Sequence, residues 1–353
     1  MKIHLLSGFL GSGKTTAIRH AVRLLFEQGI KTGVITNDQG IKLVDGDFFQ
    51  HLNIPNRQVV NGCYCCNYDD LDAAVHSLIE TYGTEIIFAE SVGSCTDIVA
   101  TVLKPLLRFG PPAQVTLSVF ADVRLLQMFL KDSMHLFDES VNYIYAKQLD
   151  EAAVIVVNKI DLIKNKELAE IKEMMRQKYG EKILLYQNSL DEESILHWLQ
   201  QLTQYQRGTS LESLELDYDL YASGEASLAW LDQELEIYSA DNNALQHTID
   251  LINSIYEKIT QNRYAIGHLK FLINHQVKIS FTSNMQTKVR IENDPAGFAV
   301  LLINLRVQTD PEMVVQLVAN AIREIETQYG CKIIVNNMAA FRPGYPRPTY
   351  RIY

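Results

Sequence analysis

"KIHLLSGFLGSGKT", residues 2–15, decides the fold. Residues 2–7 form a short, mostly apolar run of the kind that makes a buried strand. Residues 8–15, "GFLGSGKT", satisfy G-x-x-x-x-G-K-[ST] at the point where that strand must give way to a helix. Gly8, Gly11 and Gly13 let backbone N–H groups turn inward around phosphate oxygens, and the helix N-terminus adds its partial positive charge. Lys14 is placed to reach the β- and γ-phosphates, and the Thr15 hydroxyl to bind Mg²⁺. A glycine-rich turn without a ligand is the plain alternative.

The pattern repeats outward. "KTGVIT" (31–36), "EIIFAE" (85–90), "QVTLSVF" (114–120) and "AAVIVVN" (152–158) are short and apolar at almost every position, with helical stretches between several of them. Strands apolar on both faces belong to a parallel sheet covered on both sides. The expected fold is α/β, a P-loop NTPase with a mostly parallel, doubly wound sheet.

"VVNKIDLI" (156–163) selects the base. The Asp161 carboxylate can accept both N1–H and the N2 amine of guanine, a donor pair that adenine lacks, and the Lys159 stem can cover the ring beside Asn158. A strand end leading to a capped helix is the alternative. "NSLDEES" (188–194) offers a second base-side loop through Ser189 and Leu190, or only a helix N-cap region. "EIIFAESVG" (85–93) ends a strand with Glu90, suited to hold Mg²⁺ directly or through water, and Gly93 can sense a γ-phosphate through its N–H. "TNDQG" (36–40) puts Asp38 on the same sheet edge. Either carboxylate can orient the attacking water; a turn residue and a surface carboxylate are the bland readings.

The chain is expected to divide into a GTPase domain over 1–203, a polar linker over 204–227, an α+β domain of ferredoxin-like type over 228–341, and a tail over 342–353 with three prolines and three arginines. Asp310 reads as the N-cap of a helix over 310–330. Arg342, Arg347 and Arg351 can grip an acidic partner or lie in solvent.

Thirty-two basic against forty-two acidic residues leave a net charge of −10, which argues against a sequence-independent nucleic-acid binder. No run of about 18 apolar residues predicts a membrane span. The N-terminal apolar stretch lacks a small-residue cleavage site, so a cytoplasmic location is expected. Five cysteines are odd in number and sparse, which speaks against a disulfide framework.

Three of the five stand in "NGCYCCN" (61–67). Cys63 and Cys65 fall on one side of an extended chain, and Cys66 can turn in after a bend. Three thiolates make three of the four bonds of a tetrahedral zinc site. The fourth goes to water, to a side chain elsewhere or to a receiving protein; His51 and His76 are the nearest histidines in sequence, and Cys95, just past the Glu90 strand, can approach the cluster or the phosphates. Open, soft coordination suits metal transfer. Redox thiols, coincidental buried thiols and a structural zinc are the alternatives. The thiols lie between the Asp38 and Glu90 segments, so γ-phosphate and metal can influence one another.

"SGFLGSGKTT", "TNDQG", "NGCYCC", "ESVG" and "VNKIDL", in that order, resemble the CobW-like GTPases, metallochaperones related to the urease and hydrogenase accessory GTPases. The resemblance covers about residues 1–200. It implies GTP hydrolysis, with slow intrinsic turnover, coupled to delivery of Zn²⁺ or Co²⁺ to a client protein, in a cobalamin-related setting among others. It implies that Gly8 through Thr16, including Ser12, hold phosphates, and that Lys14, Asp38 and Glu90 serve catalysis. Asp38 and Glu90 would flank Mg²⁺, Cys63, Cys65 and Cys66 would bind the transferred metal, and Asn158 to Asp161 would read guanine. GTP or GDP, Mg²⁺ and Zn²⁺ or Co²⁺ are therefore the expected cofactors. A metal-requiring client, and a second copy of the chain, are the expected partners. Three features depart from the family. Asp38 stands where glutamate is usual, Ser91 and Val92 stand where threonines are usual, and the linker has no histidine-rich stretch. A GTPase that remodels a client without carrying metal, and a small-molecule kinase, are the competing functions; no arginine-bearing lid supports the kinase.

Overall fold

The computed structural model describes residues 1–39, 44, 49, 54–133, 136–204, 212–282, 289–290 and 295–353. His51 and part of the expected linker, 205–211, lie outside the described residues. The chain forms two compact units, one of Met1–Gln39, Asn53–Gly224 and Tyr345–Tyr353, the other of Gly40–Leu52 and Glu225–Gly344.

In the first unit, β1 (Lys2–Ser7) leads to α1 (Lys14–Glu27), β2 (Thr32–Asn37), β3 (Asn56–Val59), α2 (Tyr68–Tyr82) and β4 (Ile86–Glu90). A π-helical turn, Val99–Leu103, then runs into α3 (Lys104–Phe109). The chain continues through β5 (Gln114–Asp122), α4 (Val123–Leu130), α5 (Glu139–Glu151), β6 (Val154–Asn158), α6 (Asn165–Tyr179), β7 (Ile183–Gln187) and α7 (Glu192–Gln204). The seven strands pair in the order β3-β2-β4-β1-β5-β6-β7, all parallel. β2 and β6 are buried at every position, as expected of inner strands of a parallel sheet covered on both faces. α1 turns Ala17, Ile18, Ala21, Val22 and Leu25 onto the sheet at helical spacing. Trp198 of α7, fully buried, sits edge-on to Phe120 of β5 and donates its indole N–H to Ser118 at 3.3 Å.

The register levels the carboxyl ends of the central strands: Thr36 lies opposite Glu90, and Asp122 opposite Asn158. The loops after β1, β2, β4 and β6 therefore emerge at one edge, the usual ligand side of an open α/β sheet.

The expected linker holds α8 (Tyr218–Ala226). Asp217 starts it by accepting the backbone N–H groups of Asp219 and Leu220, both at 3.0 Å, and Tyr221 is buried. The polar composition concealed a helix with only a narrow buried face.

The second unit contains β8 (Leu228–Tyr238), α9 (Ala244–Gln261), β9 (Ala265–Ile273), β10 (Val277–Phe281), β11 (Phe298–Gln308), α10 (Pro311–Tyr329) and β12 (Lys332–Phe341). Its sheet is antiparallel, ordered β10-β9-β11-β8-β12. β11 lies between β8 and β9, the split arrangement of a ferredoxin-like domain, with β10 added as an edge hairpin. Asp310 occupies the N-cap position of α10, but its side chain makes no cap bond and pairs instead with Arg342. Among the described residues, no helix is long and apolar enough to cross a membrane.

Candidate functional site

The loop after β1 closes on itself. The Lys14 amine crosses it to donate to the carbonyls of Gly8 at 2.6 Å and Phe9 at 3.4 Å. Gly8 has φ +122, and a Cβ there would stand 2.1 Å from the Phe120 carbonyl oxygen, so only glycine lets the loop pass β5. Gly13, at φ +96, would place a Cβ 2.3 Å from the Asn158 amide. Ser12 and Thr15 are buried and Thr16 half-buried.

The expected base-reading segment meets this loop directly. Asn158 donates to the Ser12 carbonyl at 2.8 Å and accepts from the Ser189 N–H and hydroxyl at 3.0 and 2.8 Å. The "NSL" stretch is thus joined to "NKID" through Ser189, while Leu190 is exposed. Lys159, at φ +63, donates to the Gly11 carbonyl at 2.6 Å and to Asp122 at 2.9 Å. Asp161 is exposed on the 3-10 turn Ile160–Leu162. Asp122 was not anticipated. Burial alone would raise its carboxyl, but Lys159 and Arg124 more than offset that and hold it at about 2. It therefore stays ionised and fixes the lysine stem.

The Thr15 hydroxyl donates to Glu90 at 3.0 Å, which brings together a hydroxyl and a carboxylate suited to a hard cation. The Asp38 N–H donates to the Val59 carbonyl at 3.2 Å, two residues past the Thr36 position that faces Glu90. Gly93 packs so tightly on the loop that a Cβ would lie 2.9 Å from the Leu10 nitrogen.

The thiol motif is a tight turn in which the Cys66 and Asn67 N–H groups donate to the Cys63 carbonyl at 3.1 and 3.0 Å. Its sulfurs converge: Cys63–Cys65 at 2.7 Å, Cys63–Cys66 at 3.5 Å and Cys65–Cys66 at 3.7 Å. A tetrahedral zinc with bonds of about 2.3 Å sets sulfurs roughly 3.8 Å apart, so small rotations admit the ion. Cys63 and Cys65 are buried and Cys66 is half-buried; none of the five cysteines forms a disulfide. The Cys63 thiol is drawn well below its usual range by contacts from Cys65, Cys66 and Cys95. Contact with Cys63 pushes the Cys65 thiol up and the Cys66 thiol up to about 11. Of the three, Cys63 is thus the thiol whose ionised form its neighbours favour. His76 lies apart, near Asp72.

Two features joined to the turn were not anticipated. Asn37, the last residue of β2, donates to the Val59 and Gly62 carbonyls at 3.0 and 2.7 Å and accepts from the Tyr64 N–H at 2.9 Å. The residue before Asp38 therefore holds the chain on both sides of Cys63. Residues 345–353, within the tail expected over 342–353, run against the motif. The Arg347 N–H donates to the Cys66 sulfur at 3.3 Å, and Thr349 donates to the Cys65 and Cys66 carbonyls at 2.8 and 3.0 Å. Tyr350 lies against Tyr68 and Phe109. Arg351 and Arg342 are engaged by Asp97 and Asp310 rather than left for a partner.

Residues 2–185 match the CobW/HypB/UreG family, nucleotide-binding domain. A zinc chaperone of Escherichia coli, YjiA, is 31% identical over 135 residues, 37% of this chain and 38% of its own length. A zinc chaperone of Pseudomonas aeruginosa, CobW, is 26% identical over 206 residues, 49% of this chain and 52% of its own. The chain thus spans about two fifths to half the length of these curated relatives. Among solved structures, HypB from Helicobacter pylori in complex with nickel aligns over 61% of this chain and 92% of its own, at 17% identity and TM-score 0.45.

Proposed function

This chain belongs to the CobW/HypB/UreG family, whose nucleotide-binding domain covers residues 2–185 of its 353, and from that premise we propose that it is a GTPase that binds Zn²⁺ or Co²⁺ and delivers it to a client protein. Gly8, Gly11, Ser12, Gly13, Lys14, Thr15 and Thr16 cradle the phosphates, with the Gly93 N–H facing the last of them. Asn158, Lys159 and Asp161 select guanine. Thr15, Glu90 and Asp38 would hold Mg²⁺, which when bound neutralises charge on the β- and γ-phosphates. Lys14 adds positive charge there, and Asp38 or Glu90 orients the water. Cys63, Cys65 and Cys66 take the transferred metal. Thiolates favour zinc, with cobalt accepted, and the related E. coli and P. aeruginosa proteins are zinc chaperones.

The observation that carries the reading is the Asn37 bridge. Its amide bonds Gly62 and Tyr64 on either side of Cys63, while its own peptide leads into Asp38. A change at the end of β2 that accompanies γ-phosphate loss moves the sulfur turn with it. Metal affinity then depends on the nucleotide, as delivery requires.

Equilibrium dialysis of the reduced chain against Zn²⁺ and Co²⁺, on wild type and Cys65→Ser, tests the metal half. One exchangeable ion per wild-type chain, lost in the variant, is expected. No bound metal, or equal binding by both proteins, would remove it and favour a GTPase with structural or redox thiols. Preference for ATP over GTP in a binding titration would remove the nucleotide half.

A further inference from the structure

We propose that residues 345–353 are the resident occupant of a peptide groove beside the thiol turn, and that a client segment of the same chemistry replaces them when the metal changes hands. The occupant this groove fits is extended and carries an aromatic side chain followed directly by arginine. The handover rests on reading the thiols as a metal site; the groove does not.

Three needs are built into the groove. The first is a buried carbonyl. In the π-helical turn Val99–Leu103, hydrogen bonds come from the N–H five residues on, and Lys104 gives its N–H to Val99 in this way. The corresponding partner of Ala100 is Pro105, which has no N–H. Ala100 is fully buried, where an unpaired carbonyl is costly, and its oxygen takes the Ile352 N–H at 2.9 Å. The second need is a cation for the buried Asp97. Arg351 supplies it through Nε at 2.8 Å, while Nη2 of the same guanidinium reaches the Leu214 carbonyl at 2.6 Å. A forked cation meets both acceptors at once, as a lysine does not. The third need is aromatic. Tyr68 and Phe109 both pack on the Tyr350 ring, with centroids 5.3 and 5.0 Å away.

The backbone sets the direction. The N–H groups of Arg347 and Thr349, two residues apart, both meet the thiol turn, at the Cys66 sulfur (3.3 Å) and the Cys65 carbonyl (2.8 Å). That alternation is the habit of an extended chain, and Pro346 and Pro348 stiffen it by fixing their own φ. Residues 345–353 form no helix or strand, so individual contacts hold them, and another chain that offers the same groups can take those contacts over. Cys63 and Cys65 are buried and Cys66 is half-buried, so Cys66 is the sulfur that an incoming ligand meets first. The resident segment lies across it. Exchange of one segment for another uncovers Cys66 just as a client chain docks beside it.

The full-length, reduced chain and a synthetic peptide of residues 345–353 test this. Arg351→Ala loosens the resident segment, so the metal-free variant should bind the peptide, and wild type, its groove filled, roughly tenfold or more weakly. Bound peptide should reverse the faster alkylation of Cys66 in the variant. A peptide that itself carries Arg351→Ala should bind the variant roughly tenfold or more weakly, a charge-assisted contact being lost. No binding to the variant, equal binding to both chains, or alkylation that the peptide leaves unchanged would overturn the groove. From the zinc-loaded variant, release to a chelating indicator should be several-fold faster than from wild type and slowed again by the peptide. Release indifferent to both would overturn the handover alone. A wild-type chain that binds no zinc would overturn the metal reading and the handover with it, while the metal-free measurements still decide the groove.

Discussion

Arg351 donates through Nε to Asp97 at 2.8 Å and through Nη2 to the Leu214 carbonyl at 2.6 Å, which pins the 345–353 segment to a carboxylate only 1% exposed. The Tyr218 hydroxyl donates to the same Asp97 oxygen at 2.7 Å. Asp97 lies two residues beyond Cys95, and the segment it anchors reaches the Cys66 sulfur through Arg347. One ion pair therefore fastens the strip of chain that shields the outermost thiol.

Arg351→Ala leaves Asp97 buried without its cation. A loss of about 2 kcal/mol in urea unfolding is expected, below the figure for a fully buried pair because the arginine is partly exposed. Alkylation of Cys66 by a small thiol reagent should accelerate several-fold as the strip lifts. Unchanged alkylation kinetics would show that the strip does not shield the sulfur.

Asn37→Ala removes three hydrogen bonds that hold the turn around Cys63. Zn²⁺ affinity should fall about 10-fold or more, as when a partner that orients a metal ligand is lost. GDP affinity should change far less, because the Asn37 amide bonds Val59, Gly62 and Tyr64 around the sulfur turn. Competition with a chelating indicator measures the first, and a fluorescent GDP analogue the second.

Asp161→Ala should cost GTP about 100-fold or more in affinity, since two hydrogen bonds to a charged acceptor are lost, and should leave ATP binding almost unaltered. Parallel titrations of both nucleotides decide it. Equal losses for GTP and ATP would place Asp161 outside base recognition.

Glu151 sets a pH dependence. Burial raises its carboxyl from 4.5 to about 8, while the Thr96 hydroxyl and Val99 N–H face its two oxygens at 3.1 and 3.2 Å. Between those values the folded chain keeps a proton that the unfolded chain has released. This contribution to stability therefore falls as pH rises from the unfolded value through the folded one, then levels off. Glu151→Gln, which mimics the protonated form, should remove a few kcal/mol of that slope, an order-of-magnitude figure from the size of the shift. Urea unfolding of both proteins at several pH values tests it by difference.

Much of the first unit is legible in the sequence because its inner strands are short and mostly apolar, and the phosphate-loop glycines and "NKID" carry their own chemistry. The two edge strands were harder. β3, "NRQV", has no apolar run, and β7 is only partly buried. An edge strand has one neighbour, so its side chains need not be apolar on both faces. α8 was hidden by polar composition. At the site, single residues lacked a signal of their own: Asn37 and Asp122 act by bridging segments far apart in sequence, which only folding brings together. The contacts of the tail over 342–353 were not legible because its prolines remove backbone donors and suggest no regular element. Its contacts are instead made residue by residue.

The central claim is that nucleotide and metal occupy coupled sites, and a double titration tests it most directly. Zn²⁺ affinity is measured for wild type with Mg²⁺ and either GDP or a non-hydrolysable GTP analogue, and the affinity of each nucleotide is measured with and without Zn²⁺. The account predicts a change of about 5- to 150-fold in metal affinity between nucleotide states, matched by the same factor in the reciprocal experiment. Metal affinities that do not differ between the GDP and GTP-analogue states would contradict it.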